Sequence, residues 1–194
     1  MRDRATVVEF YNIRRKEMLS KEPNPAHIAI AELEKHFEVE VVTQNVDNLH
    51  ERAGSTRVTH LHGELTKLRS TANPNLIVDI DDWEQRLDAV APDGSLLRPH
   101  IVFFGEAVPM FERAAEIVST ADIFIIVGTS LAVYPAASLV QYVRNSSVPI
   151  YMHIITIRSA LASRLYDEVS FERFIGILRK GSAVYLVFNV FSCA

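Results

Sequence analysis

Thr43-Gln44-Asn45-Val46-Asp47-Asn48-Leu49-His50-Glu51-Arg52-Ala53-Gly54-Ser55-Thr56-Arg57-Val58-Thr59-His60-Leu61-His62-Gly63 is the stretch that decides the fold of this chain. The valine-rich run from Val39 to Val42 leads into it and reads as a buried strand. The strand ends in a polar cluster of Gln44, Asn45, Asp47, Asn48 and His50. Ala53-Gly54-Ser55 closes a short helix in a turn, and a second short strand, Arg57 to Leu61, delivers His62 immediately before Gly63. Carboxamides, a carboxylate and an imidazole at two strand ends suit a sugar- or nucleotide-handling site. Amides bind hydroxyls and carboxamides, and a histidine moves a proton near neutral pH. The plainer alternative is a polar loop with hydrogen-bonded strand ends.

Outward from this stretch, composition sets the frame. The chain has 194 residues, 48% hydrophobic and 23% charged, an ordinary globular balance long enough for one compact domain. A net charge of −4 gives no electrostatic case for nucleic acid or an anionic membrane surface. A single cysteine, Cys193, excludes an internal disulfide and a cysteine-based zinc site. The charged start Met1-Arg2-Asp3-Arg4 is not followed by a signal-peptide core, and no apolar run reaches the roughly 18 residues of a membrane span. A cytoplasmic monomer is the expectation.

Upstream, Ala5 to Ser20 reads as an amphipathic helix with Val7, Phe10, Tyr11, Arg14 and Met18 on one face. Tyr11 and Arg14 could converge on a small carboxylate, or simply pack ring against guanidinium on the helix surface. Asn24-Pro25 opens a second helix, with Ile28, Leu33 and Phe37 as its apolar stripe and His27 as a structural residue.

Downstream, Glu64 to Arg69 reads as a strand, and Asp79, Asp81, Asp82 and Glu84 as a solvated turn before a short helix at Trp83 to Leu87. Leu76, Ile77, Val78 and Trp83 are expected to pack this part. Ile101 to Phe104 reads as a strand ending at Gly105. A helix from Met110 to Thr120 precedes the apolar parallel-type strand Ala121 to Val127, which ends at Gly128-Thr129-Ser130. That turn is where open α/β sheets bind ligands. A helix to about Arg144 and a buried strand from Val148 to Ile155 follow. Residues 156–194 fit no pattern, although Phe171 to Leu178 has the apolarity of a helix and Val184 to Val190 that of a strand.

The run Gln44-Asn45-Val46-Asp47-Asn48-Leu49-His50-Glu51-Arg52-Ala53-Gly54, followed by His62-Gly63, resembles the central signature of the sirtuins, the NAD-dependent protein-lysine deacylases. Arg98-Pro99-His100-Ile101-Val102-Phe103-Phe104-Gly105-Glu106 and Gly128-Thr129-Ser130, with Val133, Pro135 and Ala136 behind it, resemble two further sirtuin segments. Tyr11-Asn12-Ile13-Arg14 resembles the Tyr-x-x-Arg motif of the bacterial class III members. The resemblance runs from about Val7 to Ile150. It implies an α/β fold, a Rossmann-like parallel sheet, incomplete here, with a reduced insertion over 66–97 in place of a zinc-ribbon module, in a single domain over 1–194.

By the same resemblance His62 is the catalytic base. Gln44, Asn45, Asp47, Gly128, Thr129 and Ser130 would bind NAD. Tyr11 and Arg14 would hold the distal carboxylate of succinyl- or malonyl-lysine, and Val102, Phe103, Phe104, Gly105 and Glu106 would receive the acyl-lysine protein or peptide. The implied reaction starts with attack of the acyl oxygen on ribose C1′. It releases nicotinamide, free lysine and O-acyl-ADP-ribose. Where sirtuins carry two Cys-x-x-Cys pairs, this chain has Ser70-Thr71-Ala72-Asn73-Pro74-Asn75 and Ala91-Pro92-Asp93-Gly94-Ser95, so zinc is not expected. The glycine-rich NAD loop that opens sirtuins is missing from residues 1–40, which gives the expectation of an N-terminally truncated member. Three rivals stand beside the deacylase: an inactive sirtuin remnant that only binds; a metal hydrolase built on Asp47, His50, His60 and His62; and an unrelated nucleotide-binding domain using Gly128-Thr129-Ser130.

Overall fold

The structure is a computed structural model that describes residues 3–129, 132–143, 147–153 and 183–188. In chain order the described elements are α1 (Arg4–Leu19), α2 (Pro25–Leu33), β1 (Glu38–Thr43), α3 (Leu49–Ala53), β2 (Val58–His60), β3 (Gly63–Ser70), β4 (Ile77–Asp79), β5 (Leu97–Ile101), α4 (Phe111–Ser119), β6 (Ile123–Val127), a 3₁₀ helix (Ala136–Tyr142), β7 (Ile150–His153) and β8 (Ala183–Phe188). No helix among the described residues is long and apolar enough to cross a membrane.

Two sheets organise the chain. The larger is parallel, in the order β2-β1-β8-β6-β7. Side chains along its strands alternate between two faces, and both faces are covered. Val39, Val41, Ile123, Ile125 and Val127 point to one face and meet Ile30 and Leu33 of α2. Val42, Phe124 and Ile126 point to the other and meet Ala114, Ile117 and Val118 of α4 with Ala136 and Leu139. The smaller sheet is antiparallel, β4-β3-β5, packed by Leu68, Ala91 and Leu97 with Leu76, Val78, Ile80 and Ala89. Only Leu61 and His62 separate the end of β2 from the start of β3, so the two sheets meet at His62.

That junction demands glycine at position 63. Its φ is +85°, and a Cβ there would lie 1.9 Å from the carbonyl oxygen of His100. Gly63 pairs with Ile101 across β3 and β5, and Val102 donates its N–H to the His62 carbonyl at 2.9 Å.

The parallel α/β sheet, the strand after Val39, the short helix closed by Gly54 (φ +108°) and the strand over Val184 agree with the sequence reading. Several details differ. Helix α1 is rotated from the expected face: Val8, Asn12, Arg15 and Met18 are buried, whereas Phe10 is half-exposed. Arg15, at 1% exposure, causes the rotation, because its guanidinium donates to the carbonyls of Leu65 (2.6 Å) and Trp83 (2.7 Å). In α2 the buried aliphatics are Ile30 and Leu33, and Ile28 is half-exposed. His27 is structural: its Nδ1 accepts from Asn24 N–H while Asn24 caps the helix.

Residues Trp83 to Leu87 form no helix. Their backbone instead serves α1, since Asn12 Nδ2 donates to Gln85 O (3.0 Å) and Gln85 N–H to Asn12 Oδ1 (2.8 Å). Ile77 is exposed, and Trp83 lies under the Lys16 ammonium, 4.7 Å from the ring centre. Strand β5 covers Leu97–Ile101, not Ile101 to Phe104. Past it the Glu106 carboxylate accepts from Phe103 N–H (3.0 Å) and Gly105 takes φ +86°, which turns the chain out of the sheet. The segment before Arg144 is a 3₁₀ helix, and β7 keeps Ile150 partly exposed. The expected helix over Phe171 to Leu178 lies outside the described residues.

Candidate active site

Both Thr43 and Val127 stand opposite Phe188, the last residue of β8. All three strands are parallel, so the loops after β1 and β6 leave the sheet at the same carboxyl edge, about 10 Å apart across the one intervening strand. One loop carries Gln44, Asn45 and Asp47; the other carries Gly128, at φ +66°, and the buried Thr129. Ser130 lies outside the described residues.

The first loop is held tightly. Asn45 N–H donates to Thr43 Oγ1 (3.0 Å), Leu65 N–H to Val46 O (2.7 Å) and Leu49 N–H to Asp47 Oδ1 (3.1 Å). Gln44 and Asp47 are buried. Burial pushes the Asp47 carboxyl above its ordinary value, while the Leu49 N–H and the His60 imidazole pull it back.

His62 stands half-buried beside this loop. Its Nδ1 is 3.1 Å from the Gln44 carbonyl oxygen. A carbonyl can only accept, so Nδ1 carries the hydrogen and Nε2 keeps the lone pair. Burial lowers the His62 pKa below the usual histidine value, against the Gln44 bond that raises it, so the ring is neutral at pH 7. The geometry therefore supplies an oriented neutral base, tied by its ring to the backbone of the loop that carries Gln44, Asn45 and Asp47.

Against Val46 of the same loop, α1 packs on the segment after β5 through Met18, Leu65 and Ile101. Tyr11 stacks on Phe103 with ring centres 5.7 Å apart, and Arg98 covers that ring at 4.0 Å. Burial raises the Tyr11 pKa, against the positive charges of Arg14 and Arg98, which lower it. Arg14 forms no ion pair among the described residues. Glu106 bonds to Arg98 (2.7 Å) and Arg69 (3.1 Å). It thereby pins the turn after β5 to both arginines. Val102 and Phe103 are partly buried, and the Phe104 side chain is wholly exposed.

The metal alternative does not assemble. His60 bonds through both ring nitrogens, to Asn45 O (3.1 Å) and Glu51 Oε1 (2.8 Å), and His50 packs edge-on against His27 at 4.6 Å. Among the described residues no three His, Cys, Asp or Glu side chains could hold a metal ion. The sequence reading singled out His60 only as a ligand and overlooked Glu51, Asn12 and Arg15. The same-face spacing of His60 to Glu51 is invisible until β2 and α3 pack.

The small sheet closes in another way. Ser70 Oγ, 2% exposed as a residue, accepts from Ala72 N–H (3.0 Å) and Asn73 N–H (2.8 Å), and lies 2.7 Å from both Asp93 Oδ2 and Ser95 Oγ. These hydroxyls and this carboxylate are mutually bonded, and the set offers one carboxylate with no thiolate or imidazole, so it does not fit the four-ligand zinc of a structural site.

Such a sheet edge and oriented histidine are those of a parallel α/β protein with a candidate site at its carboxyl edge. The Sir2 family matches residues 1–135, and the chain belongs to that family. It is 56% identical over 147 residues to an NAD-dependent protein deacylase of Bacteroides thetaiotaomicron, covering 73% of this chain and 63% of that protein. It is 51% identical over 148 residues to an NAD-dependent protein deacylase of Helicobacter pylori, covering 75% and 63%. A Sir2 homologue solved with ADP-ribose superposes with a TM-score of 0.77 at 33% identity, over 92% of this chain and 77% of that one. The chain thus spans less than two thirds of the length of these two curated relatives.

Proposed function

We propose that the protein is an NAD-dependent protein-lysine deacylase that prefers succinyl- or malonyl-lysine and acts more weakly on acetyl-lysine. The observation that carries this reading is His62, whose Nδ1 is committed to Gln44 O, which leaves Nε2 as the basic nitrogen. The site fits the nicotinamide-ribose end of NAD: Gln44, Asn45 and Asp47 supply donors and acceptors for hydroxyls and a carboxamide. Gly128 brings bare backbone to the same sheet edge, with Thr129 beside it. NAD, when bound, supplies a ribose carbon activated by its nicotinamide leaving group. The His62 Nε2 then takes a proton from a ribose hydroxyl, and Gln44 holds the ring in the tautomer that allows it.

The acyl preference rests on Tyr11 and Arg14. Tyr11 is fixed by its stack on Phe103, and Arg14 brings a cation with no carboxylate partner among the described residues. A distal carboxylate on the acyl group would satisfy that cation, and an acetyl group would not. The test compares succinyl-, malonyl- and acetyl-lysine forms of one peptide with NAD. Faster release of free lysine from the dicarboxylic acyl forms is expected. Equal rates would remove the preference, and binding of NAD without turnover would favour an inactive binding protein.

A further inference from the structure

We propose that His60 is a positioning residue, one that donates through Nδ1 to the Asn45 carbonyl and through Nε2 to the Glu51 carboxylate, and so locks the Asn45–Asp47 loop in its binding shape. This rests on the NAD-site reading above. The acceptor at Nδ1 is a backbone carbonyl 3.1 Å away, so that nitrogen must carry a hydrogen. The acceptor at Nε2 is a carboxylate 2.8 Å away, which calls for a second. The ring is buried in the fold while Glu51 reaches solvent, so the pair is anchored on its inner side. The peptide it grips is also held by Thr43 Oγ1 at Asn45 N–H and by Leu65 N–H at Val46 O. His60 completes a three-point clamp on the residues that carry the site's amide and carboxylate.

The groups around the ring favour the doubly protonated form. Burial is the largest single influence and lowers its pKa, but Glu51 from α3, the Asn45 carbonyl and Glu64 from β3 together outweigh it, and the net shift is upward. Asp47 faces it from the loop, and its charge is favoured by His60 in turn. His50 on α3 is the neighbouring imidazole, and it is kept neutral by its own burial. A group with a raised folded pKa holds its interaction fully below the unfolded value of about 6.5 and loses it as pH climbs through the folded value. The clamp therefore loosens on the alkaline side, opposite to the acid-side loss expected from His62.

The test is nitrogen NMR of the full chain with specific labelling, together with calorimetric NAD binding across pH. Both His60 ring nitrogens are expected to stay protonated past the ordinary histidine midpoint of about 6.5, with the Val46 amide shifting at the ring's own midpoint. Glu51→Gln should move that midpoint down, and His60→Gln should weaken NAD binding by about tenfold and flatten its alkaline fall. A His60 midpoint below about 6.5, or a Val46 amide indifferent to its titration, overturns the proposal. So does undiminished NAD binding by a folded His60→Gln variant. If that variant does not fold, Glu51→Gln carries the binding comparison, and undiminished binding there overturns the proposal equally. A wild-type chain that binds no NAD removes the NAD reading, while the ring and amide titrations still decide the clamp.

Discussion

His62 Nδ1 lies 3.1 Å from the carbonyl oxygen of Gln44. That contact sets the tautomer, and burial sets the protonation state by lowering the ring's pKa. A base works only when unprotonated, so turnover should fall on the acid side with a midpoint below the ordinary histidine value of about 6.5. A kcat/KM profile for nicotinamide release between pH 5 and 8 checks this. A midpoint above 6.5 would contradict the burial argument.

Adjacent arginines on α1 should behave differently. Arg15 is buried and bonded to Asn12 and to the carbonyls of Leu65 and Trp83. Arg15→Met should cost about 3 kcal/mol of stability in urea denaturation, because it strands buried carbonyls. Arg14→Met should change stability by less than about 0.5 kcal/mol. It should instead lower desuccinylation by about 2–5 kcal/mol in transition-state binding and leave deacetylation unchanged or better. Equal losses on both substrates would reduce Arg14 to a structural residue.

The Ser70 knot gives a second stability prediction. Ser70→Ala strands the Ala72 and Asn73 N–H groups and unties Asp93 and Ser95. The expected cost is about 1–3 kcal/mol. A strong chelator should leave Tm unchanged, since the knot offers a single carboxylate and no thiolate or imidazole. A chelator-induced fall in Tm would show that a metal contributes after all.

How far the sequence could be read follows from the same residues. The signature around Gln44 to Gly63 and the strand preceding it were legible because the motif is local and the strand is uniformly apolar. The phase of α1 was misread by one residue because Arg15 looks like a surface cation. The carbonyls of Leu65 and Trp83, 50 and 68 positions away, together with Asn12 Oδ1, make its burial tolerable. The Glu51–His60 pair had no local signal for the same reason. The apolar run near the C-terminus was legible as a strand, yet its insertion between β1 and β6 follows from long-range pairing alone.

Acid should destabilise the fold through α2 and α3. His27 and His50 are buried with ring centres 4.6 Å apart, and burial drives their pKa values down to about 4 and about 3. A histidine whose folded pKa is depressed stays neutral in the native state while the unfolded chain takes up protons below about 6.5. Stability should therefore fall from pH 6.5 toward pH 4, with His27 alone worth on the order of 3 kcal/mol across that window. Urea midpoints at pH 7, 5.5 and 4 measure it, and a flat series would contradict the buried neutral pair.

The most direct measurement incubates the chain with NAD and a succinyl-lysine peptide and follows nicotinamide and free lysine by mass spectrometry, for wild type and His62→Ala. The expected result is release of both products only when NAD and peptide are present together, abolished in His62→Ala. Equal release by a folded His62→Ala variant, or no release by a folded wild-type chain, would contradict the account.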